Sequence, residues 1–211
     1  MSGLNRRFSM KGLLIKDFCL LKNYFKIPIA VFVVLSVLSC LNGGSMASGV
    51  LIMMFMVMAI TSFSHDEYAK WDNFILSTPV SRRIVVSGKY IVSVLLILTG
   101  VVISLLTSLM VYAFGIDVNL AEQLIVVYFV TVISFIFISI ILPVLYKFGV
   151  EKGRLVMFII CFTPMILTTI MSRLSLKMPG EDDLWLLPFF IPALLMGSYL
   201  ISCGIYLKKE F

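Results

Sequence analysis

The run from Met46 to Phe63, MASGVLIMMFMVMAITSF, contains no charged side chain. A helix needs about 20 consecutive apolar residues to cross the ~30 Å hydrocarbon core of a bilayer, and this run approaches that length. Five more runs of the same kind follow or precede it, at 27–42, 90–114, 124–146, 155–172 and 184–207. Composition agrees, because 61% of the residues are hydrophobic and 13% charged, against about 25% charged in a soluble domain. A closed β-barrel is the other structure that spans a membrane. It needs alternating segments of about 10 residues, and no run here alternates. The expected fold is an all-α membrane protein with six transmembrane helices, the first two joined at LNGGS as a tight helical hairpin.

Lysine and arginine set the expected orientation. Of the 17 basic residues, all but Arg173 and Lys177 fall in four segments: the N-terminus (Arg6, Arg7, Lys11, Lys16, Lys22, Lys26), the 65–89 loop (Lys70, Arg82, Arg83, Lys89), the 147–154 turn (Lys147, Lys152, Arg154) and the tail (Lys208, Lys209). By the positive-inside rule these segments and both termini are cytoplasmic. The formal charge of +6 then reads as orientation and attraction to anionic lipid, with no nucleic-acid partner expected.

Several chemistries are disfavoured. No Asp, Glu, Lys or Arg lies in the six runs away from their ends, whereas ion-coupled transporters usually bind the driving ion near the midplane. The chain carries no G-x-x-x-x-G-K-[ST] phosphate loop, so any nucleotide hydrolysis belongs to a separate subunit. His65 is the single histidine, too few for a zincin-type metal site, and Cys19, Cys40, Cys161 and Cys203 form no CxxC pair. No catalytic, metal or cofactor residues are expected.

Between the second and third runs lies SHDEYAKWDNFILSTPVSRRIVVSGKY, residues 64–90. Ser64 and Glu67 have capping-box spacing, which predicts a helix restarting or bending at Ser64. Asp66 and Lys70 are placed for an i,i+4 pair, and Tyr68, Trp71, Phe74 and Ile75 share one helical face. Pro79 ends that short helix. With Thr78 as cap and Pro79 in the first position, a new helix is expected to run into the third span. The aromatic face has two readings on these grounds: an interfacial belt at the headgroups, or a surface presented to a cytosolic protein with Trp71 as its anchor.

DEYAKWDNFILSTPVSRRIVVSGKY and MKGLLIKDFCLLKNYFKI, at 10–27, resemble the signature segments of small six-span permease subunits of bacterial ATP-binding-cassette (ABC) exporters, in the type-2 permease superfamily. The resemblance implies a short cytoplasmic coupling helix between spans two and three that docks on a cytosolic ABC ATPase, through Glu67, Lys70, Trp71, Asp72, Pro79, Ser81 and Arg82. It implies an N-terminal amphipathic interfacial helix over 10–26, with Met10, Leu13, Leu14, Phe18, Leu21 and Phe25 along one stripe, so that residues 1–26 form the N-terminal segment and 27–211 the six-span domain with its coupling loop at 64–89. Nine residues precede Met10, where the family pattern begins, which makes Met10 a second candidate start. A second permease, identical or similar, is implied as partner, in the bacterial cytoplasmic membrane. Pro188 and Pro192, one turn apart, are expected to interrupt the last span and resemble the family's outer gate. A lining of apolar side chains, hydroxyls and methionines suits amphipathic or antimicrobial peptides, or lipid-like substrates. The competing functions are a non-conducting membrane anchor or immunity protein that recruits a cytosolic partner, and an intramembrane enzyme.

Overall fold

The structure, a computed structural model, describes residues 12, 15–17, 19, 20, 22, 26, 29–31, 33, 34, 37, 46–71, 81–113, 120–173 and 187–208. All regular structure among the described residues is helical. The described N-terminal residues are helical throughout, and four continuous elements follow: α1 (Met46–Tyr68), α2 (Arg82–Ala113), α3 (Leu120–Arg173) and α4 (Leu187–Lys208). Each contains a stretch long and apolar enough to cross a membrane. The chain divides into two compact units whose boundary falls inside α3, between Phe135 and Ile136.

In the first unit, α1 packs on α2. The buried residues of α2 mix apolar side chains such as Val92, Leu96 and Ile97 with small and hydroxyl-bearing ones. The buried side of α2 carries Ser93, Gly100, Ser104, Thr107 and Ser108, while Leu98, Val102, Leu106 and Leu109 are exposed. Small residues let two backbones approach where lipid supplies no hydrophobic drive to associate. The approach is closest at Gly100, where a Cβ would lie 3.0 Å from Phe55 Cβ and 3.3 Å from Ile52 Cα. The hydroxyls are satisfied within their own helices: Ser93 donates to the Lys89 carbonyl at 2.9 Å, Thr107 to Ile103 at 2.8 Å and Ser108 to Ser104 at 3.1 Å. These three hydroxyl hydrogens are thereby kept from facing hydrocarbon unpaired. At the start of α1, Gly49 meets Val130 of α3, whose Cγ2 would lie 3.2 Å from an added Cβ.

The 32 residues of α2 make a rod of about 48 Å at ~1.5 Å per residue, longer than the hydrocarbon core. The surplus is at its N-terminal end, where Arg82, Arg83 and Lys89 lie. Ser81 is not helical and its carbonyl accepts the Ile84 N–H at 2.9 Å. The helix entering the third apolar run therefore starts at Arg82 and not at Pro79 as its capping pattern predicted. The restart predicted at Ser64 is also absent. α1 continues through that residue, which is buried, because the apolar run before it already supplies the helical turn that a cap would otherwise open.

The loop expected at 147–154 is reduced to one non-helical residue, Gly149, at φ 77 and ψ 176. Only glycine adopts that region without strain. A Cβ on Gly153 would lie 2.5 Å from Cδ2 of Leu145, eight residues earlier, whereas an unbroken helix would separate those positions by about 12 Å along its axis. The chain thus folds back at Gly149. In the same unit Tyr146 and Tyr206 pack edge to face, with ring centroids 5.5 Å apart, joining α3 to α4. α4 runs through Pro192 without the interruption expected there. That proline lies close to the helix start, so the loss is confined to one ladder bond.

Candidate coupling site

The C-terminal end of α1, the N-terminal end of α2 and the described N-terminal residues converge on a buried cluster of charge. α1 brings Ser62, Phe63 and Asp66, α2 brings Lys89, and the N-terminal residues bring Lys16 and Asp17. Lys89 Nζ lies 2.9 Å from Asp17 Oδ1, 2.7 Å from Asp66 Oδ2 and 2.7 Å from Ser62 Oγ. An ammonium has three protons and no acceptor, so these three oxygens use its whole donor capacity. Ser62 Oγ in turn donates to Asp17 Oδ1 at 3.4 Å. Lys16 Nζ sits 2.5 Å from the other oxygen of Asp66 and 3.6 Å from Asp17 Oδ1. The four charged side chains are between 5% and 20% exposed, and Ser62 is buried.

Two lysines and two aspartates give a cluster with no net charge. Neutrality matters here because an isolated buried charge costs several kcal/mol, and only close, hydrogen-bonded pairing offsets it. The partners lie far apart in sequence, 72 residues between Lys89 and Asp17 and 50 between Lys16 and Asp66. The cluster therefore joins three chain segments that local structure alone would leave independent.

Trp71 joins the quartet to the turn that follows α1. α1 ends at Tyr68. The Ala69 N–H bonds to the His65 carbonyl at 3.0 Å and the Lys70 N–H to the Glu67 carbonyl at 3.1 Å, with Lys70 itself at φ 49. A left-handed residue other than glycine costs about 1 kcal/mol, and it turns the chain off the helix axis. Trp71 then lies with its ring under Lys16, the ammonium 3.9 Å from the ring centroid. A second ammonium–ring contact, Lys89 over Phe63 at 5.2 Å, lies at the other side of the quartet. Such contacts contribute about 0.5–2 kcal/mol, more when desolvated.

A family model described as ABC-2 family transporter protein matches residues 12–207. The chain belongs to that family. No match was found among curated proteins or among solved structures. An ABC-2 permease is the membrane transport component of an ABC transporter and works with an ATPase partner, and the chain is accordingly a multi-pass membrane protein.

The site residues expected for the ABC-2 permease are distributed unevenly. Glu67 is exposed in the last turn of α1, Lys70 forms the left-handed turn, Trp71 meets the quartet, Ser81 precedes α2 and Arg82 opens it. Asp72 and Pro79 lie outside the described residues, as do Phe74, Ile75, Thr78 and the apolar stripe expected over 10–26. The i,i+4 pair expected between Asp66 and Lys70 does not form, because Lys70 has left the helix and both Asp66 oxygens are taken by Lys16 and Lys89. Tyr68 and Trp71 do not continue one helical face for the same reason.

Sequence reasoning missed Lys16, Asp17, Ser62 and Lys89. A signal was present: Lys16 and Asp17 precede the first apolar run, Asp66 follows the second and Lys89 precedes the third. Opposite charges at adjacent run ends belong at one membrane depth. In the second unit, a cavity of about 620 Å³ opens between α3 and α4, lined by Ile136, Ile140, Phe190, Leu194 and Ile201 with the hydroxyls of Ser139 and Ser198.

Proposed function

We propose that this ABC-2 permease is driven by a cytosolic ABC ATPase that docks on the 64–89 loop, and that it exports amphipathic or antimicrobial peptides, or lipid-like molecules, across the bacterial cytoplasmic membrane. In this reading both termini and the loop are cytoplasmic. Residues 10–26 form the interfacial helix, and 27–211 form the six-span domain. A second permease, identical or similar, completes the translocation path within the surrounding lipid. Glu67, Lys70, Trp71, Asp72, Pro79, Ser81 and Arg82 form the docking element, with Trp71 as its anchor. The first turns of α4, with Pro188 and Pro192, act as the outer gate.

The observation that supports coupling most strongly is the seat of Trp71 on Lys16. An aromatic side chain on a loop transmits force only if something rigid stands behind it, and the quartet supplies that backing. The asymmetric placement of lysine and arginine supports the orientation. An apolar substrate is supported by the apolar cavity with its two hydroxyls and by the absence of charge inside the apolar runs.

The test is co-expression with the cognate ATPase, followed by affinity purification and ATP turnover in nanodiscs. Wild type is expected to bring the ATPase through purification and to change its turnover, and Trp71→Ala to lose most of both. Unchanged complex and turnover in Trp71→Ala would remove the docking assignment. A complex whose turnover never responds to the permease would favour the membrane-anchor reading.

A further inference from the structure

We propose that Lys16 and Asp17 are positioning residues for coupling. With Asp66 and Lys89 they clamp the N-terminal segment, the end of α1 and the start of α2 into one body, and they hold Trp71 in place against it. The proposal deepens the function above and rests on its assignment of the loop as the ATPase contact.

The chemistry argues for position over stability. A buried ion pair is weak grounds for stability, since apolar residues of the same volume often serve as well or better, whereas ionic groups can fix register and orientation. Here the fixing is over-determined. Each aspartate is contacted by both lysines, and Lys89 saturates its donors on groups from two other segments. No single side chain can shift without breaking a contact to another segment. The route from loop to spans is also continuous: Trp71 ring to Lys16, Lys16 to Asp66 of α1 and Asp17, and both aspartates to Lys89 of α2. A displacement imposed on Trp71 therefore reaches the ends of two spans and the N-terminal segment together.

The experiment has two arms on the full-length permease in nanodiscs. The first measures amide hydrogen exchange of residues 64–71 and 82–90 without any partner. The second measures ATP turnover of the complex with the cognate ATPase relative to the ATPase alone, with complex formation followed by co-purification. The variants are Asp17→Asn, Lys16→Gln and the charge exchange Asp17→Lys with Lys89→Asp.

Asp17→Asn is expected to lower protection of 64–71 about tenfold, leaving 124–135 and 194–206 as in wild type. The permease-dependent part of turnover should fall by a factor of about 2 to 30 while the complex still forms. The charge exchange should recover most of both losses, which a purely volumetric role would not. Protection and turnover in Asp17→Asn both within about twofold of wild type would overturn the proposal, as would a charge exchange no better than Asp17→Asn. If Asp17→Asn loses protection everywhere, Lys16→Gln, which keeps Lys89 on both aspartates, decides: loss confined to 64–71 supports the clamp, and no loss there sinks it. A wild type that neither binds nor affects the ATPase would instead overturn the proposed function, while the exchange arm still decides whether these residues position the loop.

Discussion

The hairpin of α1 and α2 and the helix α4 are built from nearly the same residue types and end in opposite states. Of the apolar windows of α1 and α2, 61% and 39% are buried within the protein, against 22% for α4. At Gly100 of α2 the neighbouring backbone stands 3.3 Å from where a Cβ would be, whereas nothing lies within 4 Å of that point at Gly197 or Gly204 of α4. The hairpin also closes at one end on four paired charges, two buried and two half-buried, and α4 contains none before Lys208. Hydrophobicity does not distinguish the two, since lipid rewards both equally. Close approach and buried ion pairing do, and they concentrate specific structure in the hairpin.

The largest test of that contrast breaks the quartet. Asp17→Ala or Lys89→Met leaves the neutral cluster with one unit of uncompensated charge, and the expected destabilisation is up to about 3–5 kcal/mol. Leu200→Ala on α4, where the residue is 63% exposed, is expected to change stability by no more than about 0.5 kcal/mol. Unfolding in mild detergent, followed by circular dichroism, compares them. Equal losses would show that the quartet gives the hairpin no special standing. Replacing both Asp17 and Lys89 by apolar residues of similar volume is expected to cost less than either single change.

Next in size is the close approach itself. Gly100→Leu forces a branched side chain against Phe55 and the Ile52 backbone, and overpacking of this kind costs about 1–3 kcal/mol. The same measurement reports it. A neutral result would mean that α1 and α2 separate easily, and that the hairpin is held by its charged end alone.

The second unit has its own rigid point. Gly149→Ala places a Cβ at φ 77 and ψ 176, and the strain is expected to cost about 1–3 kcal/mol. Limited proteolysis and thermal unfolding should both show the loss. Gly197→Ala, on a helical part of α4 where nothing lies within 4 Å of the added methyl, carries no comparable backbone strain and serves as the control for adding a methyl group.

Much of this was legible in the sequence. The uncharged runs gave the helical membrane class, since length and composition act locally and need no knowledge of partners. Breaks were read less well. SHDE looks like a helix start and is the end of one, because capping-box spacing is satisfied by chance inside a longer helix. KFGVEKG looks like a loop and is a fold-back at one glycine, because φ is invisible in composition. The quartet was hardest. Lys16 and Lys89 read as surface charges that set topology, yet each is paired with aspartates on other segments. Pairing across 50 and 72 residues is a tertiary event. Only the shared depth of adjacent run ends announces it.

The smallest prediction concerns what covers α4. Gly204 is exposed, helical and clear of neighbours, so alanine there gains helix propensity, about 0.8–1.0 kcal/mol in peptide hosts, without meeting any atom of its own chain. Gly204→Ala in the isolated permease is therefore expected to raise stability slightly, in contrast to the loss at Gly100. The sign carries information beyond this chain. Glycines that admit close backbone approach mark helix–helix contacts in membranes, and a second permease packed at Gly204 would be pushed away by the added methyl. Light scattering of the purified protein separates the outcomes: stabilisation at unchanged mass leaves this face to lipid, and a fall in mass places it against another subunit.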